Sequence, residues 1–173
     1  MDIKNKISDE KKELAMNPNT PEDTLQDLAK DEDWAVRWHV AENPSAPVDA
    51  LRELAKDSSL YVRWNVAKNP SAPKDVLREL TKTVNYKMRA FVASNPNTPE
   101  DALRDLATDE NLGVRRNVAR NPKVPSTVLV MLFEYEKSLR EPNELVIRAL
   151  YRHKNLPAFA KRVIETLFKE MLT

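Results

Sequence analysis

The sequence predicts an all-α protein, a solenoid of about five to six two-helix repeats of 26 residues with atypical caps at both ends. Three observations carry that prediction. Asn-Pro-x-x-Pro begins at Asn17, Asn43, Asn69, Asn95 and Asn121, always 26 residues apart, and takes up ten of the 12 prolines. Leucines three residues apart follow each of the first four pairs, and apolar residues four apart precede the next, both helical spacings. The chain has one Gly beside those 12 Pro, an inversion of ordinary usage (about 7% Gly, about 5% Pro), so its turns are built on Asn-Pro. A fixed period between about 20 and 50 residues marks stacked repeats and outranks any local motif.

Taken in order, residues 1–16 are an expected N-terminal cap, with Leu14 and Ala15 in the columns of a second helix and charged residues elsewhere. Residues 17–125 hold four complete repeats and the start of a fifth. Each first helix opens at the second Pro, read as the N1 position where its missing N–H costs nothing. Thr20 and Thr98 are read as N-caps; where the cap column holds Ala46 and Ala72, either the Pro alone suffices or Ser45 and Ser71 cap from one position earlier. Leu25 and Leu28, Leu51 and Leu54, Leu77 and Leu80, Leu103 and Leu106 form the buried face, worth roughly 1.5–3 kcal/mol each once a neighbouring repeat covers it. The second helix carries Val36 and Val40, Val62 and Val66, Met88 and Val92, Val114 and Val118, then an Ala suited to close helix approach. It stops at Asn-Pro, since Pro cannot continue a helix, and the Asn side chains are expected to hold the turns as a structural ladder. Residues 126–173 are a divergent repeat and C-terminal cap, closed by an amphipathic helix over about 158–172.

Composition removes several function classes. Without Cys, disulfides, thiol chemistry, zinc-thiolate sites and Cys-ligated iron–sulfur clusters are excluded. His39 and His153 are isolated, a Gly-rich phosphate loop is impossible with one Gly, and the carboxylates recur as repeat features, so no catalytic residue, metal site or cofactor is expected. No apolar run approaches the ~18 residues of a membrane span and the start MDIKNKISDE has no apolar core, so a cytoplasmic location without membrane contact is expected.

The units, with Asn-Pro-x-x-Pro, Leu-x-x-Leu-Ala-x-Asp and Val-Arg-x-x-Val-Ala, resemble the leucine-rich repeat variant family across about residues 15–125. That resemblance implies short helix pairs stacked into a right-handed superhelix, similar to HEAT and armadillo arrays. Some members carry a cysteine-ligated iron–sulfur cluster, which this chain cannot. By analogy with HEAT-like arrays, Arg37, Arg63, Arg89 and Arg115 are expected to form an internal ladder with Asp31, Asp57 and Asp109; Thr83 breaks the column, leaving Arg89 to Asp57 or Asp109.

Columns that differ between copies are the candidate surface. On a helical wheel Ala35, Trp38, His39 and Glu42 lie away from Val36 and Val40, and the same columns hold Tyr61, Trp64, Asn65 and Lys68, then Lys87, Ala90, Phe91 and Ser94, then Gly113, Arg116, Asn117 and Arg120. Trp38, Tyr61, Trp64, Lys68, Lys87, Phe91, Arg116 and Arg120 are therefore the candidate partner-binding residues, whereas Trp34, in a column with Leu60, Tyr86 and Leu112, is expected in the core and His39 at an ordinary surface position. The first-helix segments 22–33, 48–59, 74–85 and 100–111 carry −5, −1, +1 and −4; the second-helix segments 34–47, 60–73, 86–99 and 112–125 carry 0, +2, +2 and +4. A chain of net charge +1 thus divides into an acidic layer and a basic one. Second helices line the concave face in related arrays, so the resemblance implies a groove that is aromatic at one end and basic at the other. Two partners fit such a groove: a protein or peptide, acidic in part, held by a non-enzymatic scaffold; or nucleic acid, as in HEAT-like DNA alkylation-repair glycosylases. A structural role inside a larger assembly is a third reading, and oligomeric state is left open.

Overall fold

The computed structural model describes residues 7–172, so the first six residues of the expected N-terminal cap lie outside it. Thirteen helices and no strands occur among the described residues: α1 (Ser8–Met16), α2 (Glu22–Leu28), α3 (Trp34–Glu42), α4 (Val48–Leu54), α5 (Leu60–Lys68), α6 (Lys74–Leu80), α7 (Tyr86–Ser94), α8 (Glu100–Ala107), α9 (Leu112–Arg120), α10 (Ser126–Ser138), α11 (Glu144–Arg152), α12 (Ala158–Leu167) and α13 (Lys169–Leu172). The chain divides into two compact units, Met1–Leu80 and Thr81–Thr173. In the first, α1, α3 and α5 stack as one layer and α2 and α4 as the other; in the second, α7, α9 and α11 stack on one side and α8 and α10 on the other.

The predicted columns fill the two cores. Leu25, Leu28, Val36, Val40, Leu51, Leu54, Val62 and Val66 are buried in the first unit. Met88, Val92, Leu103, Leu106, Val114 and Val118 are buried in the second, extended by Leu129, Leu132, Phe133, Ile147, Leu150 and Ile164.

The turns work differently from the cap reading. Pro21, Pro47, Pro99, Pro125 and Pro157 stand at the N-cap rather than N1, their carbonyls accepting the first helical bond at 3.0–3.1 Å. Thr20 does not cap α2. Its hydroxyl donates back to Leu14 O at 2.6 Å, as Thr98 does to Val92 O at 2.6 Å, because the turn folds it over the open end of the preceding helix. Ser45 and Ser71 donate to Pro18 O and Pro44 O of the preceding turn, so they too join repeats instead of capping.

The Asn ladder is as expected in role and larger in reach. Each Asn Oδ1 accepts the N–H two residues on. Asn43 Nδ2 donates to Ala15 O and Asn17 O, Asn69 Nδ2 to Ala41 O and Asn43 O, and Asn121 Nδ2 to Ala93 O and Asn95 O, at 2.8–3.0 Å. One amide thereby bonds a carbonyl in the last turn of the preceding second helix and a turn carbonyl that also accepts the N–H three residues on.

A second ladder is ionic. Arg37 clasps Asp57 of the next repeat through Nε (2.6 Å) and Nη2 (3.1 Å), while Nη1 donates to the carbonyls of Asp31 and Glu32. Arg89 repeats this with Asp109, resolving the alternative that Thr83 left open. Lys11 holds the Arg column in α1 and pairs with Asp31 at 2.9 Å, and Arg63 donates to the carbonyls of Asp57 and Ser58. Burial pushes the Asp57 carboxyl up, but Arg37 and the Ser59 N–H together hold it below its ordinary 3.8. A carboxyl that binds its proton less readily folded than unfolded adds stability above 3.8 that disappears as pH falls through the lowered value. Acid titration of the denaturation midpoint should therefore show a loss below pH 4 that Asp57→Asn reduces.

Candidate binding surface

In the first unit the surface is built on α3 and α5. Asp33 caps α3 through the Ala35 N–H and so fixes where the helix starts. That start leaves Trp34 49% exposed, contrary to the expectation of a core position: as the first helical residue it precedes the turn that covers Val36, and its ring rests on Tyr61 of the next repeat, centroids 5.9 Å apart. Tyr61, 57% exposed, meets Trp64 edge-on at 5.3 Å. Trp38 is half-buried and packs against the core, so it behaves partly as a packing residue. Lys68 is exposed in the last turn of α5.

The His39 column is structural, which corrects its place on an exposed ridge. Asn65 is buried and its amide reaches Trp38 O at 3.4 Å; Asn117 makes the equivalent bond to Ala90 O at 2.9 Å. His39 itself is half-buried, with Nδ1 out of contact with water, 3.9 Å from Glu42 and without a hydrogen-bond partner among the described residues. Burial lowers its affinity for a proton below the ordinary 6.5, with Glu42 opposing. A base that is harder to protonate when folded costs stability as pH falls through 6.5, so denaturation midpoints should drop between pH 7 and 5, and His39→Asn, the residue at position 65, should flatten that limb.

In the second unit, Lys87 and Phe91 on α7 and Arg116 on α9 line a cleft of about 200 Å3 together with Tyr86, Ala90 and Asn117. Arg116 Nε is buried there without a hydrogen-bond partner among the described residues. Arg120, exposed at the end of α9, lines a separate cleft of about 360 Å3 with Arg148, Arg152 and His153 of α11 and its cap. The eight predicted residues are thus divided four to each unit, all on second helices.

Arg148 and Arg152 lay outside the predicted set because the repeat changes length. The caps Asn111 and Asn143, the helices α9 and α11, and Pro125 and Pro157 correspond at a spacing of 32, since α10 is longer than α8. In that register Ile147 takes the ladder-Arg column and Arg148 and Arg152 continue the columns of Arg116 and Arg120. His153 takes the ladder-Asn place: Nε2 donates to Asn121 O at 3.0 Å and Nδ1 accepts the Asn155 N–H at 3.1 Å, which fixes the Nε2–H tautomer. Gly113 also belongs to this surface. A Cβ there would lie 3.0 Å from Asn111 Oδ1, a contact that Ala35 and Lys87 accommodate beside the same cap geometry. Gly113→Ala should therefore gain helix propensity and raise stability by about 0.5–1 kcal/mol, read from the urea midpoint.

The family model for the leucine rich repeat variant matches residues 34–59 and 86–111. Two of its repeats are similar to the leucine rich repeat variant. Each match begins at the first residue of a second helix and runs through the next first helix, α3–α4 in one unit and α7–α8 in the other. Within both matched segments the recurring columns are the core and ladder residues, and the exposed aromatic and basic side chains lie between them. No curated protein matches the chain. Among the described residues no group of three or more His, Asp and Glu is gathered as metal ligands would be, and no helix is long and apolar enough to cross a membrane.

Proposed function

We propose that this chain is a non-enzymatic scaffold that binds a protein or peptide through the second-helix surfaces of its two units, aromatic on α3 and α5 in the first and basic on α7, α9 and α11 in the second. Helical repeats of this family generally mediate protein interactions. The observation that carries the reading is the division of labour along each second helix. Residues that recur along the array are consumed by the core, the Asn ladder and the Arg ladder, while Trp34, Tyr61, Arg120 and Arg152, whose columns change identity along the array, remain exposed. Exposed aromatic and Arg side chains on a rigid framework are the usual anchors of a protein interface.

The test is affinity purification with nuclease treatment and mass spectrometry, comparing wild type with Tyr61→Ser and with Arg120→Gln. Both positions are exposed, so folding should be intact by circular dichroism. Loss of the same protein partners from either variant supports the scaffold. Partners unchanged in both variants, or binding abolished by nuclease, overturns it.

A further inference from the structure

The cleft between α9 and α11 is unlike the rest of the surface. Arg120, Arg148 and Arg152 converge on it over a floor of Ala119, Leu145 and Ala149. Arg148 is partly spoken for, its Nε donating to Met171 O at 2.6 Å and its Nη2 paired with Glu144 at 2.8 Å. No hydrogen bond or ion pair among the described residues engages the Arg120 or Arg152 guanidinium. Two solvent-facing cations beside a third that is paired with one carboxylate leave a local excess of positive charge that an anionic group would neutralise.

Resting on the scaffold reading, we propose that this cleft is an oxyanion site that takes an aspartate or glutamate side chain of an acidic peptide, with Arg120 and Arg152 as its clamps. The surroundings favour a carboxylate over a phosphate. Arg120 and Arg152 belong to the last turns of their helices, whose negative ends together with Glu144 oppose a dianion, and at the other end of the cleft the Leu145 and Val146 N–H groups are already bonded to Asn143 Oδ1. Leu145 and the two alanines offer an apolar bed for the side-chain methylenes. A sequence pI near 7.9 and an acidic first-helix layer are also poor features for following a nucleic-acid backbone, whose binders are typically more basic.

The neighbouring cleft sets the spacing of the motif. It lies on the other side of α9, is lined by Tyr86 and Phe91 with Lys87 and Arg116, and suits an aromatic or large apolar residue. Packed helices are about 8–10 Å apart, and an extended peptide advances about 3.3 Å per residue, so the two anchors should be about three residues apart.

The probe is an array of fluorescein-labelled nine-residue peptides in a Gly-Ser background, with Phe and Glu separated by one to five positions. Glu→Gln peptides, phosphoserine peptides and a twelve-nucleotide single-stranded DNA serve as comparisons, read by anisotropy on the full chain. Binding should peak at a separation of about three, fall at least tenfold when Glu becomes Gln, and fall similarly in the Arg120→Gln, Arg152→Gln double variant. The Glu→Gln peptide tests the same contact without altering the protein, so a folding defect in the variant cannot imitate the result. Peptides bound without regard to Glu or to the two arginines, or bound only when phosphorylated, overturn the carboxylate site and leave the scaffold standing. Binding of the oligonucleotide with no peptide retained overturns both.

Discussion

Glu136→Ala is expected to be the most damaging single substitution outside the apolar core, lowering stability by about 3–5 kcal/mol, the cost of leaving one member of a buried ion pair alone. Glu136 is completely buried, and its Oε1 accepts Arg115 Nε at 2.6 Å while Oε2 accepts the Asn143 N–H at 2.9 Å. Arg115, itself buried beneath the Tyr135 ring, also donates to the carbonyls of Asp109 and Glu110. Truncation would strand the guanidinium charge and the amide that starts α11. Because one kcal/mol is a large fraction of a domain's total, α10 and α11 should lose hydrogen-exchange protection first, in the manner of a repeat array that opens from a weakened interface. The double variant Arg115→Met, Glu136→Leu should recover much of the loss, since a buried pair exchanged for apolar groups is often close to neutral. Urea denaturation of the single and double variants measures both; equal losses in the two would show that the charge pair is not the source.

Glu136 also marks where the sequence stops being readable. Between Asn17 and Pro125 a translation of 26 residues carries each side chain into the same environment, so identity in a column implies identity of role. Leu25, Val40, Arg37 and Asn43 were legible for that reason. At α10 the acid of the ladder moves from the turn, where Asp57 and Asp109 lie, to the last turn of a longer helix, and the extra methylene of Glu spans the difference. Nothing in a column-by-column alignment predicts that exchange. The same change of length hid Arg148 and Arg152, whose register appears only when Asn143 and Pro157 are matched to Asn111 and Pro125 at a spacing of 32. Trp34 and Thr20 were misread for a local reason: each lies at a helix boundary, where a shift of one residue decides between core and solvent, or between a cap and a bond to the previous helix.

The two ladders explain why the binding surface is free to vary. Within each unit, repeats are joined by an Asn amide at the end of the second helix, and Lys11, Arg37, Arg89 and Arg115 add a charged bond to the next acid. The exposed residues between them carry little of the stacking energy, so Tyr61, Lys87 and Arg120 can differ without loosening the array. Trp38 is the exception, since half of it packs on the core, and for that reason Tyr61 is the cleaner residue with which to test binding.

Asn121→Ala is the corresponding prediction for the neutral ladder, with an expected loss of about 2–4 kcal/mol. The side chain is buried and makes three bonds: Nδ2 to Ala93 O and to Asn95 O, both at 2.8 Å, and Oδ1 from the Lys123 N–H at 2.9 Å. Each bond alone is modest, but removing the amide takes from the Ala93 carbonyl its side-chain donor, while Asn95 O keeps the Thr98 N–H, and an unsatisfied buried group costs about 1–3 kcal/mol. Pro122 supplies no N–H that could replace it. Asn17→Ala is the internal control. Asn17 is exposed and its side chain accepts only the Asn19 N–H, so water can replace what is lost and the change should be under 1 kcal/mol. Asn121→His tests the geometry itself, because His153 already fills this role at the next turn through Nε2–H to a carbonyl and Nδ1 from an N–H two residues on. A ring reaches one carbonyl where the amide reaches two, so Asn121→His should fall between wild type and Asn121→Ala. If Asn121→His, which removes no volume, instead keeps wild-type stability while Asn121→Ala loses it, packing rather than hydrogen bonding holds the turns together.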